Sequence, residues 1–128
     1  MSTDDAHDNE LSRHVIGLAI EVRRQPGPGL LESVYEECLC LELRNAGIPH
    51  VRQLKHPIRY KGTELEYCYK IDIVVDNCLI IEVKSVDHIV PVHEAQLLTY
   101  LRLSGIPLGL LLNFNSPVLK DGIRRRRL

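Results

Sequence analysis

The chain has 128 residues, of which 45% are hydrophobic and 26% charged, and its formal net charge is −1. This length and composition are typical of one globular domain with a sizeable core. The near-neutral charge excludes a general electrostatic attraction to nucleic acid, so any such binding must come from local patches. No apolar run is long enough to cross a membrane, and the acidic N-terminus is unlike a signal or transit peptide, so we expect a cytoplasmic protein.

Two helices are predicted in the first third of the chain. Residues 1–8 look disordered. From residue 9 to residue 25, apolar residues recur at the spacing of one helix face, until a Pro-Gly-Pro-Gly run that cannot continue a helix. A second helix is predicted at about 30–46, with Gly47 as its stop. The residues expected on its buried face are Leu31, Val34, Cys38 and Leu41.

The rest of the chain predicts four strands and one helix. In order, they are strands at about 52–60, 64–75 and 79–84, a helix at about 92–103 and an apolar strand at 108–114. Pro57 is typical of an edge strand. The helix allows a right-handed crossover, which would place the last strand parallel to a central one. We therefore expect an α/β fold with helices packed on a central mixed sheet of about four strands, forming one domain over residues 9–128.

The cysteines predict reduced thiols rather than a zinc site. The Cys-x-Cys pair lacks the C-x₂-C spacing of a zinc site, and all four cysteines occur in apolar patterns, so we expect most of them to be buried. They are Cys38, Cys40, Cys68 and Cys78.

Three charges interrupt the two apolar strands between Ile71 and Ser85. Asp72 lies in the first strand, and Glu82 and Lys84 lie in the second. A charge at such a position is costly unless it is paired, bound to a metal or facing water. Glu82 and Lys84 share one face of their strand, about 7 Å apart.

Whether Asp72 joins them depends on the turn. Alternation places Asp72 on one face of its strand and Ile71, Ile73 and Val75 on the other. A strict two-residue turn at residues 76–77 would pair Asp72 with Ile81 and put it on the wrong face. We therefore predict an irregular connection, one residue longer or bulged, in which Asn77 tolerates a positive φ.

Two interpretations of this triplet stay open from the residues alone. Two carboxylates suit a hard divalent cation such as Mg²⁺, which polarises phosphate and lowers the pKa of an attacking water. Lys84 could orient that water or stabilise the developing charge. The alternative is an Asp/Glu/Lys ion-pair network on a solvated sheet face.

Two helices carry further candidates. Glu32 and Tyr35 share a face in the first turn of the second helix, where a carboxylate is also favourable in its own right. Gln96 and Tyr100 share a face of the last helix, which is equally typical of a helix edge that meets water.

Taken in order, these residues resemble the GxxExxY protein family of the PD-(D/E)xK nuclease-like superfamily. The resemblance covers residues 11–127, although Ile71 stands where the superfamily often has proline. It implies a restriction-endonuclease-like core of helix, three-stranded meander, helix and strand. The motifs are Gly29-x-x-Glu32-x-x-Tyr35, Asp72, Glu82-x-Lys84, Gln96-x-x-x-Tyr100 and the ending Leu111-Leu112-Asn113-Phe114.

The resemblance implies a metal-dependent nuclease that hydrolyses phosphodiester bonds in DNA or RNA, with Mg²⁺ or Mn²⁺ as cofactor. Lys84 would be the catalytic lysine, and Gln96 and Tyr100 would orient the site and the nucleic-acid backbone. The implied metal ligands are Asp72, Glu82, the backbone carbonyl of Val83, and Glu32. The alternatives are a catalytically inactive nucleic-acid-binding or assembly module on the same fold, and a structural ion-pair network in an interaction protein.

Basic residues elsewhere are less specific. A strip formed by Lys55, Arg59 and Lys61 could bind phosphates, but such charges also protect an edge strand from aggregation. The modest net charge favours a homodimer or a partner protein that combines basic surfaces. The run Arg124, Arg125, Arg126 and Arg127 could bind a phosphate backbone, or form a solvated tail or a strand end.

Two histidines flank the start of the last predicted helix. His88 and His93 could each contact a phosphate or act as a base. The alternative is that both histidines are partly exposed residues of a loop and a helix cap.

Overall fold

The computed structural model describes residues 3–128, with side chains described from residue 6 onward. None of the described helices combines the length and hydropathy that crossing a membrane requires. The helices are α1 (Thr3–Arg24), α2 (Glu32–Asn45) and α3 (Pro91–Ser104), with a short 3₁₀ helix at Leu119–Gly122. The strands are β1 (His50–Tyr60), β2 (Thr63–Val75), β3 (Leu79–Lys84), β4 (Leu108–Asn113) and β5 (Ile123–Arg127).

The five strands form one sheet in the order β1-β2-β3-β4-β5. The β3–β4 pair is parallel and the other three pairs are antiparallel. The predicted α/β class, mixed sheet and parallel placement of β4 are therefore confirmed, as is the edge position of Pro57. The strand count differs, because the C-terminal arginines form β5 along the outer edge of β4.

The sheet is covered on both faces. Helices α1 and α2 pack on one face, where the main cluster includes Val15, Tyr35, Leu39, Ile73, Ile81, Leu110 and Phe114. Helix α3 packs on the other face over Ile71, Val74, Ile80, Leu97, Leu101 and Leu111. Strands β3 and β4 are therefore covered by helices on both faces, which explains why their sequences are nearly continuously apolar.

Helix α1 begins at Thr3 rather than Asn9. The prediction of disorder over residues 1–8 is therefore wrong from residue 3 onward, and the first two residues lie outside the described part of the chain. Residues far away in the sequence hold this first segment. Asp8 is buried, and one of its carboxylate oxygens lies 3.8 Å from the Arg127 guanidinium. The His7 ring lies 3.2 Å from the Asp76 carboxylate. A polar composition does not reveal such long-range partners.

Helix α2 buries a different face from the predicted one. Its buried apolar residues are Tyr35, Leu39, Cys40 and Leu43, whereas Leu31 is 73% exposed and Leu41 47% exposed. The helix carries two apolar stripes, and periodicity alone cannot decide which of them faces the sheet. All four cysteines are free as expected, but only Cys40 is buried and Cys68 is exposed.

Strand β2 changes the face that it buries at Asp72. Ile71 packs under α3, whereas Ile73 and Val75 pack under α1 and α2, so the prediction that these three share a face is wrong. Opposite this point on β1, Gln53 has a φ of 55°. The kink therefore lies at the residue that carries the predicted site. Beyond it, residues 54–70 of β1 and β2 form a mostly exposed hairpin, called the arm below.

Candidate active site

The β2–β3 connection brings Asp72 and Glu82 to one level of the sheet. Val75 pairs with Leu79 and Ile73 with Ile81, which leaves three residues in the turn; the same register, continued by one residue, sets Asp72 opposite Glu82. Asp76 and Asn77 both have positive φ, 51° and 54°. The predicted irregular turn is confirmed, and with it the condition for a shared site.

Backbone groups fix both carboxylates. The Val83 N–H donates to Asp72 Oδ2 at 2.8 Å, and the Asp72 N–H donates to Glu82 Oε1 at 3.2 Å. Each strand therefore orients the acid of the other strand. Backbone amides hold both side chains, so the pair is organised before any ligand binds.

The two acids repel each other in a buried setting. Glu82 is only 3% exposed. Burial, followed by the neighbouring Asp72 carboxylate, raises the pKa of Glu82 to about 9, although Lys84 acts in the opposite direction. A divalent cation would remove both penalties, because it favours the ionised form of each acid. The donor set thus fits a hard cation such as Mg²⁺ or Mn²⁺.

Helix α3 supplies the predicted pair Gln96 and Tyr100 to the same face. The Lys84 ammonium donates to Gln96 Oε1 at 3.5 Å. Tyr100 is 4% exposed and makes an edge contact with Tyr69, with ring centroids 5.5 Å apart. Burial, then Glu82 and Asp72, raise the pKa of Tyr100 to about 12, so its hydroxyl stays protonated beside the acids.

The loop before α2 is fastened by Tyr35. Its hydroxyl donates to the Gly27 carbonyl at 2.5 Å and accepts from the Leu30 N–H at 3.2 Å. The ring stacks on Phe114, with centroids 4.7 Å apart. Gly29 supports this loop with a φ of 95°, a conformation that favours glycine. The Gly-x-x-Glu-x-x-Tyr spacing therefore builds one compact loop.

This loop delivers Glu32 to the end of β3. Glu32 Oε1 accepts from the Ser85 N–H at 3.2 Å, and Ser85 Oγ donates to the Leu30 carbonyl at 2.8 Å. Glu32 is thus anchored next to Lys84. Among the described residues, however, it does not complete a set of three ligand atoms with Asp72 and Glu82 within 4.8 Å of one another.

Sequence reasoning missed two supporting residues, Glu36 and Gln53. Glu36 is 5% exposed and accepts from Arg52 Nε at 2.7 Å and from Gln53 Nε2 at 2.8 Å. The same Gln53 amide reaches Asp72 Oδ1 at 3.3 Å. The sequence offered one indication of Glu36, an acid directly after Tyr35 in α2. Nothing in the order of polar and apolar residues connects that acid to Gln53.

The four arginines lie away from this cluster and have intramolecular partners. Arg126 and Arg124 approach Glu94 of α3 at 2.5 and 3.6 Å. On the other face of β5, Arg125 contacts Asn9 and Arg127 lies 3.8 Å from Asp8.

The two histidines also lie outside the acid cluster. His93 Nδ1 accepts from the Val90 N–H at 3.1 Å, which is a cap contact, and His88 is exposed.

Comparison with protein-family models matches the PD-(D/E)XK nuclease superfamily over residues 9–126. Comparisons with curated proteins and with solved structures give no significant match. The matched segment contains every strand that carries the site, from β1 to β4, and both helices that supply Glu32 and Gln96. The chain belongs to the PD-(D/E)XK nuclease superfamily.

Proposed function

We propose that this protein is a metal-dependent nuclease that hydrolyses phosphodiester bonds in DNA or RNA. One observation carries the proposal: Asp72 and Glu82 stand opposite each other and are held by each other's backbone, with Lys84 two residues further along β3. Superfamily membership supports the same reaction class. We further propose membership of the GxxExxY family, because Gly29, Glu32 and Tyr35 act together in one loop.

The chain's own residues supply binding and orientation. Asp72, Glu82 and the Val83 carbonyl would hold Mg²⁺ or Mn²⁺, with Glu32 nearby at the end of β3. A bound cation of this kind polarises the phosphate and lowers the pKa of water. Glu82 would hold the cation in its ionised form and would release its proton on binding, because its pKa is about 9 in the metal-free site.

Lys84 is the residue we assign to the reacting phosphate. Its ammonium orients the attacking water or stabilises charge on the phosphate oxygens. Gln96 fixes the position of that ammonium through the 3.5 Å contact. Tyr100 keeps its hydroxyl protonated, since burial and the two acids raise its pKa to about 12, and its ring contacts Tyr69 of β2.

We infer that the arm is a main contact for the nucleic-acid backbone. Its sequence carries four basic and two acidic residues, whereas the whole chain has a net charge of −1. Arg124–Arg127 already contact Glu94, Asp8 and Asn9 and would add to binding from the far edge of the sheet. The basic residues of the arm are Lys55, Arg59, Lys61 and Lys70.

Cleavage assays test the proposal. Purified protein is incubated with single-stranded, duplex and branched DNA and with RNA, in Mg²⁺ or Mn²⁺ and in chelator. We expect metal-dependent cleavage that falls at least about 100-fold in Asp72→Ala and in Lys84→Ala. Glu37→Gln, which changes an exposed acid of α2, is the matched control and should cleave normally.

Two results would redirect the interpretation. Cleavage that survives in both Asp72→Ala and Lys84→Ala would exclude this site as the catalytic centre. Substrate binding and metal binding without turnover on any substrate would instead support the inactive nucleic-acid-binding module.

A further inference from the structure

A second cluster of metal-binding side chains lies where α1 meets the β2–β3 turn. His7 Nε2 is 3.2 Å from Asp76 Oδ2. The ligand atoms of His7, Asp76 and Cys78 all lie within 4.8 Å of one another, and within the described range this is the one such group of three. An imidazole, a carboxylate and a thiolate are a donor set that Zn²⁺ accepts.

The backbone of the turn presets two of these donors. The Asp76 N–H donates to the Pro49 carbonyl at 2.8 Å, and the Cys78 N–H donates to the Val75 carbonyl at 3.0 Å. Asp76 itself has a φ of 51°. Two residues of the turn therefore project toward α1 from a backbone that is already fixed, which lowers the cost of assembling a site.

A buried acid lies behind the thiol. Asp8 is 4% exposed and is one of the two acids that raise the pKa of the Cys78 thiol. Its negative charge is partly balanced by Arg127 at 3.8 Å. In the metal-free protein the Cys78 thiol is protonated, because burial, Asp8 and Asp76 raise its pKa to about 11. A metal that binds the thiolate displaces that proton to solvent.

This cluster is separate from the nuclease site. Asp76 lies in the turn beyond the end of β2, whereas Asp72 lies three residues before that end, roughly 10 Å away along the strand. The chemistry also differs, since the nuclease site offers only oxygen donors and suits Mg²⁺, whereas a thiolate and an imidazole select a softer cation.

We propose that His7 Nε2, Asp76 Oδ2 and Cys78 Sγ bind one Zn²⁺ ion, with water in the fourth position. Binding releases one proton from the Cys78 thiol to solvent and uses the neutral imidazole of His7. The ion fastens the first turns of α1 to the β2–β3 turn, two segments about 70 residues apart in the chain. The role of the ion is structural, because an ion that binds the folded chain and not the unfolded chain stabilises the folded state.

Cobalt substitution and zinc binding test the site on the full chain. With Co²⁺ in an excess of Mg²⁺, we expect one ion per chain and a thiolate-to-cobalt charge-transfer band. The band should disappear in Cys78→Ser and persist in Cys68→Ser, which removes an exposed thiol of the arm. His7→Ala should weaken Zn²⁺ binding at least about tenfold, since even outer-shell partners of a metal have effects of that size. The matched control is His14→Ala, an exposed histidine of the same helix.

The outcomes separate this site from the nuclease site. Loss of zinc binding in Glu82→Gln but not in Cys78→Ser would overturn the proposal, as would the absence of a charge-transfer band in the wild type. Zinc should also raise the melting temperature of the wild type and of Glu82→Gln, but not that of Cys78→Ser. If Cys78→Ser fails to fold, His7→Ala and Asp76→Asn decide the question, because both side chains are exposed and asparagine tolerates the positive φ.

Discussion

Asp72 and Glu82 orient each other across two strands, since the Asp72 amide donates to Glu82 at 3.2 Å and the amide after Glu82 donates to Asp72 at 2.8 Å. This arrangement forces two acids together in a place where Glu82 is only 3% exposed. Burial and the neighbouring Asp72 carboxylate make the ionised form of Glu82 unfavourable in the metal-free protein. The same features support the proposal that the pair binds a divalent cation, because a cation would favour the ionised form of both acids.

The first prediction concerns stability and pH in chelator. Folded Glu82 holds its proton up to about pH 9, whereas in the unfolded chain its pKa returns to the ordinary glutamate value of 4.5. Between these values the folded state binds one more proton than the unfolded state, so stability falls as pH rises. We expect a loss on the order of 2–3 kcal/mol between about pH 6 and about pH 8, measured by denaturant unfolding.

Variants isolate the contribution of Glu82. Glu82→Gln cannot ionise, so it should lack this part of the pH dependence, exceed the wild type in stability at about pH 8 and be inactive. Glu37→Gln should retain the wild-type pH dependence. An unchanged slope in Glu82→Gln would show that Glu82 is already ionised in the metal-free fold.

The second prediction concerns the loop that carries Glu32. Tyr35→Phe removes the hydroxyl that bonds Gly27 and Leu30 but keeps the stack on Phe114. We expect about 1 kcal/mol of destabilisation, because a partly buried donor and acceptor lose their partner. Activity should also fall, since the anchoring of Glu32 at Ser85 depends on this loop.

Tyr67→Phe is the control for this change, because Tyr67 is 77% exposed. It should leave stability and activity unaltered. Equal stability of Tyr35→Phe and Tyr67→Phe in thermal unfolding would contradict the assigned role of the Tyr35 hydroxyl.

The third prediction links packing to the position of Gln96. A Cβ added at Gly109 of β4 would lie 2.7 Å from Cδ1 of Leu97, which is fully buried under α3. Gly109→Ala should therefore push α3 away from the sheet and cost about 1–3 kcal/mol. Cleavage should fall as well, because the shift carries Gln96 away from Lys84.

A second glycine provides the comparison. A methyl group added at Gly17 in α1 would meet open space, with nothing within 4 Å. Gly17→Ala should be neutral or stabilising by about 0.5–1 kcal/mol, since alanine favours a helix. Thermal unfolding and cleavage rates of the two variants, measured side by side, check the prediction; similar behaviour would refute the close approach at Gly109.

The core of the site was predictable because strand geometry is strict. Alternation fixes which residues share a face, so Asp72 and Glu82 could meet only through a turn of odd length, and the observed turn has three residues. The parallel pairing of β4 followed in the same way from the handedness of crossovers. These features depend on local geometry, which a single sequence encodes.

Other features depend on distant partners and were not predictable. Asp8 is buried because Arg127 lies close to it, and the helix therefore begins earlier than its composition indicates. Helix α2 has two apolar stripes, and the sheet selects one of them. The switch of buried faces at Asp72 coincides with the positive φ of Gln53, a residue whose pattern suggests only a regular strand.

The final prediction assigns Gln53 a positioning role. Its amide contacts both Glu36 and Asp72, at 2.8 and 3.3 Å, so it links the Arg52–Glu36 ion pair to the carboxylate that we propose as a metal ligand. Gln53→Asn keeps the tolerance for positive φ but shortens the reach of the amide. We expect Mn²⁺ affinity to fall about 10- to 100-fold, the usual effect of losing an outer-shell partner, with little change in melting temperature.

A loss of Mn²⁺ affinity without a loss of melting temperature would distinguish a positioning role of Gln53 from a purely structural one. Glu36→Gln should lower both, because the buried side chain loses its ion pair with Arg52 and its carboxylate contact with Gln53. Gln25→Asn, which shortens an exposed glutamine of the loop after α1, should lower neither. Titration of Mn²⁺ and thermal unfolding of the three variants make the comparison. Unchanged Mn²⁺ affinity in Gln53→Asn would mean that backbone contacts alone orient Asp72, and that Gln53 only shapes the strand.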